Sequence, residues 1–309
     1  MNVKVKGYIL GAIAAASYGM NPLFALPLYK AGLQPDSVLF FRYLCAIPVL
    51  GIMIKARGRS FKINKGELFP LIVLGMLFAV SSLTLFRSYT YMDAGIASTI
   101  LFVYPIMVAV IMAVGFKEKL TLQTIVCIVA ALGGIALLYK GENGVTLSPI
   151  GTFFVLLSAL SYAVYIVGIN QRRLAEVPTL KITFYALVFG WIVIAISALA
   201  GDGLQVPPRD QWYLWGNLLA LGLLPTAVSL YCTTTAIQCI GSTPTAILGA
   251  LEPATAIFFG IVVFGETLTG RDIVGLLLII LAVSIVVAGG KFTQALVRFR
   301  KMFPRLRKK

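Results

Sequence analysis

The sequence predicts an all-α integral membrane protein: ten transmembrane helices in two inverted five-helix repeats. Three observations predict it. The chain of 309 residues is 59% apolar and only 12% charged, with mean hydropathy +0.94. A soluble domain carries about twice that charge, so this surface cannot be covered for water. Second, the apolar runs are about 20 residues long, the length of a helix across a bilayer and not of a barrel strand. Third, residues recur in register. Gly7, Ser17, Tyr18 and Phe40 answer to Gly151, Ser161, Tyr162 and Phe184 at an offset of 144, and Pro105, Glu118 and Thr121 to Pro253, Glu266 and Thr269 at 148.

The spans are expected at 7–29, 36–56, 67–90, 94–115, 122–140, 149–171, 179–200, 212–236, 242–264 and 271–289. The first has lysines before an apolar run, as a signal peptide does. Its apolar character continues past Leu28, so it reads as a span. Spans 1–5 match spans 6–10. Five is odd, so the second repeat enters from the opposite side. The units are therefore 1–140 and 141–290, followed by a basic tail, 291–309.

Charge sets the orientation. With the N-terminus cytoplasmic, inside segments hold 20 Lys and Arg and outside segments hold 4. That asymmetry is the positive-inside rule, with both ends inside. It also accounts for the net charge of +15 without nucleic acid, since no basic domain stands apart from the spans. The tail spaces Phe292, Leu296, Phe299, Phe303 and Leu306 as a helix would, interrupted by Pro304. It reads either as an interfacial segment on an anionic leaflet or as a solvated tail. Trp212, Tyr213 and Trp215 read as an interface anchor.

Several chemistries are excluded. Histidine is absent, which removes imidazole catalysis and His-ligated metal. The four cysteines lie in or at the ends of apolar runs without CxxC spacing and read as small apolar residues. No P-loop occurs. Neither a cofactor nor a metal site is expected, and no loop is long enough for a soluble domain.

The candidate site residues are those that apolar helices do not need. Glu252 is the one acid near the middle of a span. A carboxylate there must pair or take a proton. It is either a proton-coupling or cation-binding group, or a carboxyl hydrogen-bonded beside a kink. Tyr104 takes its place in the first repeat. Pro105 and Pro253 each remove a backbone hydrogen bond and bend their helices, and paired interruptions point to a transport site. Glu118 and Glu266 close spans 4 and 9 on opposite faces and read as structural or gating groups. Arg42 and Arg87 sit in the outer parts of spans 2 and 3. Each is expected to snorkel outward, with a cavity-facing contact to substrate carboxylates the alternative for both and Asp93 the expected partner of Arg87. Polar and aromatic residues Tyr18, Asn21, Tyr89, Tyr104, Ser161, Tyr162, Tyr165 and Tyr231 would wall the path. Gly11, Ala15 and Gly19 make a small-residue stripe for close helix contact.

FFRYLCA (40–46), YP…KEKLT (104–121) and LEP…GETLT (251–269) together resemble the drug/metabolite transporter superfamily, in its EamA-type ten-helix branch. The likeness covers nearly the whole chain. It implies a bundle around a central cavity, spans 5 and 10 at the periphery, alternating access and small organic substrates. The expectation is therefore a secondary transporter of a bacterial inner membrane. It would export metabolites or amino acids, with protons as a possible second partner. A passive uniporter and a scaffold without transport are the alternatives. Monomer and homodimer both stay open.

Overall fold

The computed structural model describes residues 3–116, 122–139, 148–169, 174, 177–201, 203–240, 248–249 and 251–288. Among them there is helix and no strand. The helices are α1 (Val3–Gly19), α2 (Asn21–Lys30), α3 (Pro35–Ala56), α4 (Lys65–Ser88), α5 (Ala94–Leu101), α6 (Tyr104–Phe116) and α7 (Leu122–Tyr139). There follow α8 (Pro149–Ile169), α9 (Thr179–Ala200), α10 (Trp212–Gly222), a π-helical turn (Leu223–Val228), α11 (Ser229–Ile240), α12 (Leu251–Phe264) and α13 (Gly270–Ala288). Seven helical segments are long and apolar enough to cross a membrane, and shorter apolar helices lie at Leu251–Phe264 and Ile273–Ala282. Large apolar side chains such as Phe69, Val114 and Leu199 stand more than 70% exposed on the bundle's outside. Water would penalise that surface, whereas acyl chains accept it.

Interruptions are the main departure from ten plain rods, and each has a proline behind it. Pro22 cannot bond the Tyr18 carbonyl, so α1 ends at Gly19 and the chain turns at Met20, whose N–H bonds Ser17 instead. Pro105 cannot bond the Leu101 carbonyl. The backbone between α5 and α6 tightens into three-residue turns, with Val103 N–H on Ile100 and Ile106 N–H on Val103. Pro225 opens α10–α11 into the π turn. Before Pro253, the Glu252 N–H reaches back to Gly249. Pro48 lies inside α3 without ending it.

Glycines set the closest approaches. A Cβ at Gly19 would strike the Glu252 carbonyl oxygen of α12 and Thr255, so the small-residue face of α1 receives span 9. The main packing seams are α4 on α9 and those that follow. α4 packs on α8, and α1 on α11. α6 packs on α8, and α1 on α12. α3 meets α9, α5 meets α12, and α7 meets α13. The α7–α13 pair touches the rest of the described bundle chiefly through α5 and α6, so it is peripheral.

Each end of the bundle is tied by polar groups. At one end, Arg87 Nη2 bonds Asp36 Oδ2 at 2.9 Å, and Ser197 Oγ donates to the same carboxylate at 2.6 Å. The expected partner Asp93 is thus replaced by Asp36, in the first turn of α3. At the other end, Lys181 Nζ stands 3.6 Å from Glu67 and donates to the Lys62 carbonyl, while Tyr185 donates to the Phe61 carbonyl. Glu67 also completes a capping box with Asn64 at the start of α4.

Candidate functional site

The broken spans converge. Tyr18 and Asn21 flank the first break, Tyr104 follows the second, Thr226 lies in the π turn and Glu252 sits in the first turn of α12. Interrupted backbone in a membrane bundle is tolerated where it is covered by protein or lines a polar path. Here Arg42 meets the π turn, and Glu252 lies at the start of α12.

Arg42 is the first of these. It is 3% exposed and does not snorkel to the outer interface. Its Nε donates to Thr226 Oγ1 at 2.8 Å, and its guanidinium carbon lies 5.1 Å from the centre of the Phe86 ring. The chemistry of the π turn explains this partner. Pro225 leaves the Leu221 carbonyl without its helical donor. The Thr226 hydroxyl donates to that carbonyl at 3.0 Å and turns a lone pair toward Arg42. Among the described residues no carboxylate pairs with Arg42, and no hydrogen bond engages its Nη atoms.

Glu252 is the second. Among the described residues no hydrogen bond or ion pair engages its carboxylate. It stands close enough to Tyr18, Tyr104 and Tyr162 to act electrostatically on each. Tyr18 also feels Arg42.

An aromatic wall continues from there. The Tyr104 and Tyr162 rings meet edge-on at 4.8 Å, Tyr162 stacks on Tyr165 at 5.8 Å, and Phe78 lies 5.3 Å from Tyr165. Ser161 is buried beside Tyr162 on α8. Asn21 is 2% exposed, and its Oδ1 has no hydrogen-bond donor among the described residues. Tyr89 tilts against Phe86, ring centres 5.5 Å apart, with its hydroxyl 3.5 Å from Ser98 Oγ. Tyr231 stands apart: its ring takes the Arg57 guanidinium at 4.9 Å, at the end where α3 finishes.

Glu266 lies away from this cluster, after α12. Its Oε1 accepts from the Ala94 N–H at 3.2 Å, and its carboxylate rests where a Cβ on Gly260 would be. It therefore caps α5 across the chain. Burial pushes its carboxyl above the ordinary range and Asp93 adds to this, opposed by hydrogen bonds from the Ala94 and Gly95 N–H groups. Glu118 lies outside the described residues. Thr226, Phe86 and Asp36 are functional-site or tethering neighbours that sequence reasoning missed. For Thr226 a signal existed, namely a hydroxyl next to a mid-span proline.

A model of the EamA-like transporter family matches residues 5–140 and again residues 149–288. The chain belongs to the EamA-like transporter family. Its relatives are transporters, not enzymes. It is 22% identical to the uncharacterized transporter YcbK of Bacillus subtilis, over 87% of this chain and 88% of that protein. It is 28% identical to the threonine/homoserine exporter RhtA of Salmonella typhimurium, over 71% of this chain and 70% of that one. A solved crystal structure superposes with a TM-score of 0.66 at 18% identity, covering 91% of this chain and 96% of the other, a likeness of fold alone. The family and the apolar helices together make this a multi-pass integral membrane transporter for a small-molecule substrate.

Proposed function

We propose that the chain is a secondary transporter in which two inverted five-helix repeats, 1–140 and 141–290, rock about the converging helix breaks. It carries a small organic metabolite outward across a bacterial inner membrane, with both ends cytoplasmic and the basic tail 291–309 against the anionic leaflet. The observation that carries this reading is the pair of unmatched charges at those breaks, buried Arg42 and half-buried Glu252. Taking an ion out of water costs several kcal/mol in a protein interior, so unmatched intramembrane charges are retained for a working reason.

Three further features support it. The family model matches each half separately. The packing seams exchange under exchange of halves, as α1–α11 does with α4–α8. The Gly95 backbone meets Ile257 and the Ala94 N–H meets Glu266, which fits a state closed at the end where spans 4 and 9 cross. Glu252 is the coupling group in this reading: with no cation beside it, it exchanges a proton as the bundle alternates. Amino acids are the first substrate class to test, since the relative RhtA exports threonine and homoserine.

Reconstituted protein in proteoliposomes, under an imposed pH gradient, provides the test. Flux of at least one amino acid or metabolite is expected, stimulated by the gradient in the wild type and not in Glu252→Gln. Gradient-stimulated flux that survives in that variant assigns coupling elsewhere. No flux of any solute in a broad panel removes the transport reading itself.

A further inference from the structure

The chain between α3 and α4 is held more tightly than its charge requires. Setting topology needs only an excess of Lys and Arg, so such a loop can be loose. Here residues 57–64 form a strap fixed at both ends and in the middle. At one end Gly58 (φ +63°) reverses the chain after α3, and the Arg59 N–H reaches back to the Ile54 carbonyl at 3.1 Å. At the other, the Asn64–Glu67 capping box starts α4. In the middle, Tyr185 and Lys181, one turn apart on α9, donate to the successive carbonyls of Phe61 and Lys62. The Phe61 ring meets Phe184 edge-on at 5.5 Å. Arg57 is drawn aside onto the Tyr231 ring. Arg59, Lys62 and Lys65 stay exposed, and among the described residues none of them is in an ion pair. Glu67, the nearest acid in sequence, stands 3.6 Å from Lys181. About one turn into the flanking helices, Ile52 and Phe69 are 67% and 71% exposed to the acyl chains, which places the strap at headgroup level.

We propose that this strap is a binding site for an anionic phospholipid, with Arg59, Lys62 and Lys65 receiving the headgroup phosphate and the acyl chains lying along Phe69. Charge complementarity identifies the occupant: residues 55–65 hold five Lys and Arg and no acid. The three cations are spaced three residues apart, at most about 11 Å between successive Cα atoms, a span that long side chains close on one phosphate. Preorganisation makes it a site and not a diffuse charge. The clamp from α9 has already met the cost of ordering the strap, so binding does not pay it again. A soluble phosphate ester shares the charge but has no chains to lay on Phe69. The strap lies between α3 and α4, in the first half of the chain, and its clamp is on α9, in the second, so a bound lipid steadies the junction of the two. This site is distinct from the basic tail and from the helix breaks, and binding to it needs no transport.

Native mass spectrometry of the full-length protein, titrated with phosphatidylglycerol or phosphatidylcholine, provides the test. It is run on the wild type and on a chain whose eight tail Lys and Arg are replaced by Gln, so that the tail's own binding is separated. Phosphatidylglycerol is expected to bind at least tenfold more tightly than phosphatidylcholine in both. Each cation at an anionic surface contributes about fivefold, so Arg59→Gln, Lys62→Gln and Lys65→Gln together should weaken phosphatidylglycerol by about 100-fold. The same triple variant should leave phosphatidylcholine binding unchanged, a split that misfolding does not produce. Tyr185→Phe alters no charge but unfastens the Phe61 carbonyl, and should weaken phosphatidylglycerol by about fivefold. Full affinity in Tyr185→Phe overturns the inference, because loose charge would then suffice. Phosphatidylglycerol within threefold of phosphatidylcholine in the tail-neutral chain overturns it too, as does a triple variant within threefold of its parent. Competition by sn-glycerol 3-phosphate as strong as that of the lipid overturns the lipid assignment.

Discussion

The middle of the bundle and its end near Asp36 treat charge in opposite ways. At that end, Arg87 has a carboxylate at 2.9 Å, a serine shares the acid, and a cavity of about 320 Å³ beside them admits solvent. In the middle, Arg42 is buried on a hydroxyl and a ring, and Glu252 faces tyrosines. The two arginines are similar in sequence, each in the outer part of its span. The difference teaches that an ion pair here ties helices together, whereas an unmatched charge leaves work for a ligand. Pairing Arg42 internally would neutralise it and remove its reason to bind anything else.

The largest expected effect is loss of function at Arg42. Arg42→Ala should lower flux of the preferred substrate by about 100-fold or more in proteoliposomes, since a buried guanidinium–carboxylate contact is worth several kcal/mol. Arg87→Ala should leave flux within about threefold. Equal losses would erase the distinction between the two arginines. Glu252→Gln comes next: gradient-stimulated flux should disappear while the protein still elutes as the wild type does by size exclusion.

Thr226→Val tests the orientation of Arg42. It strands the Leu221 carbonyl and the Arg42 Nε together, so stability should fall by about 1–3 kcal/mol and ligand affinity by about tenfold. An unchanged affinity would show that the π turn does not hold Arg42 in register. Glu266 is the intermediate case, charged and partly buried but capped by backbone donors. Its folded carboxyl lies above the unfolded value, so the folded state binds the proton more tightly. The stability this contributes is present at low pH and is lost as pH rises through the raised value. Thermal unfolding across pH should therefore show the wild type losing ground to Glu266→Gln as pH increases. A constant difference would contradict the burial of that carboxylate.

The smallest effect belongs to the tether. Arg87 is 44% exposed at its side chain, and pairs of this kind contribute about 0.2–1 kcal/mol, less at high salt. Asp36→Asn should shift the unfolding temperature only slightly, measurable as a salt-sensitive difference.

Much of the site was legible because apolar helices make polar residues conspicuous. Tyr18, Tyr104, Tyr162 and Glu252 stand out against their spans, and they do come together. Arg42 was legible as a residue but not as a position, because snorkelling and burial look alike within about two turns of a span's end. Its partner Thr226 is 184 residues away, and Asp36 and Ser197 are separated by 161. No periodicity reports a contact across that distance. Tyr231 shows the converse: polar enough to stand out in its span, it serves Arg57 at another level of the bundle.

The sequence by itself determined the membrane class, the long apolar helices that carry it and the break at Pro105. These follow from local quantities: hydropathy over about 20 residues and prolines that lack an N–H. Only the tertiary structure decided which charges meet an opposite charge and which do not. Pairing depends on side-chain atoms within about 4 Å across helices distant in sequence, and on burial, which no single span controls. Arg42 and Arg87 differ in nothing local, and the packing of α3 against the π turn separates them.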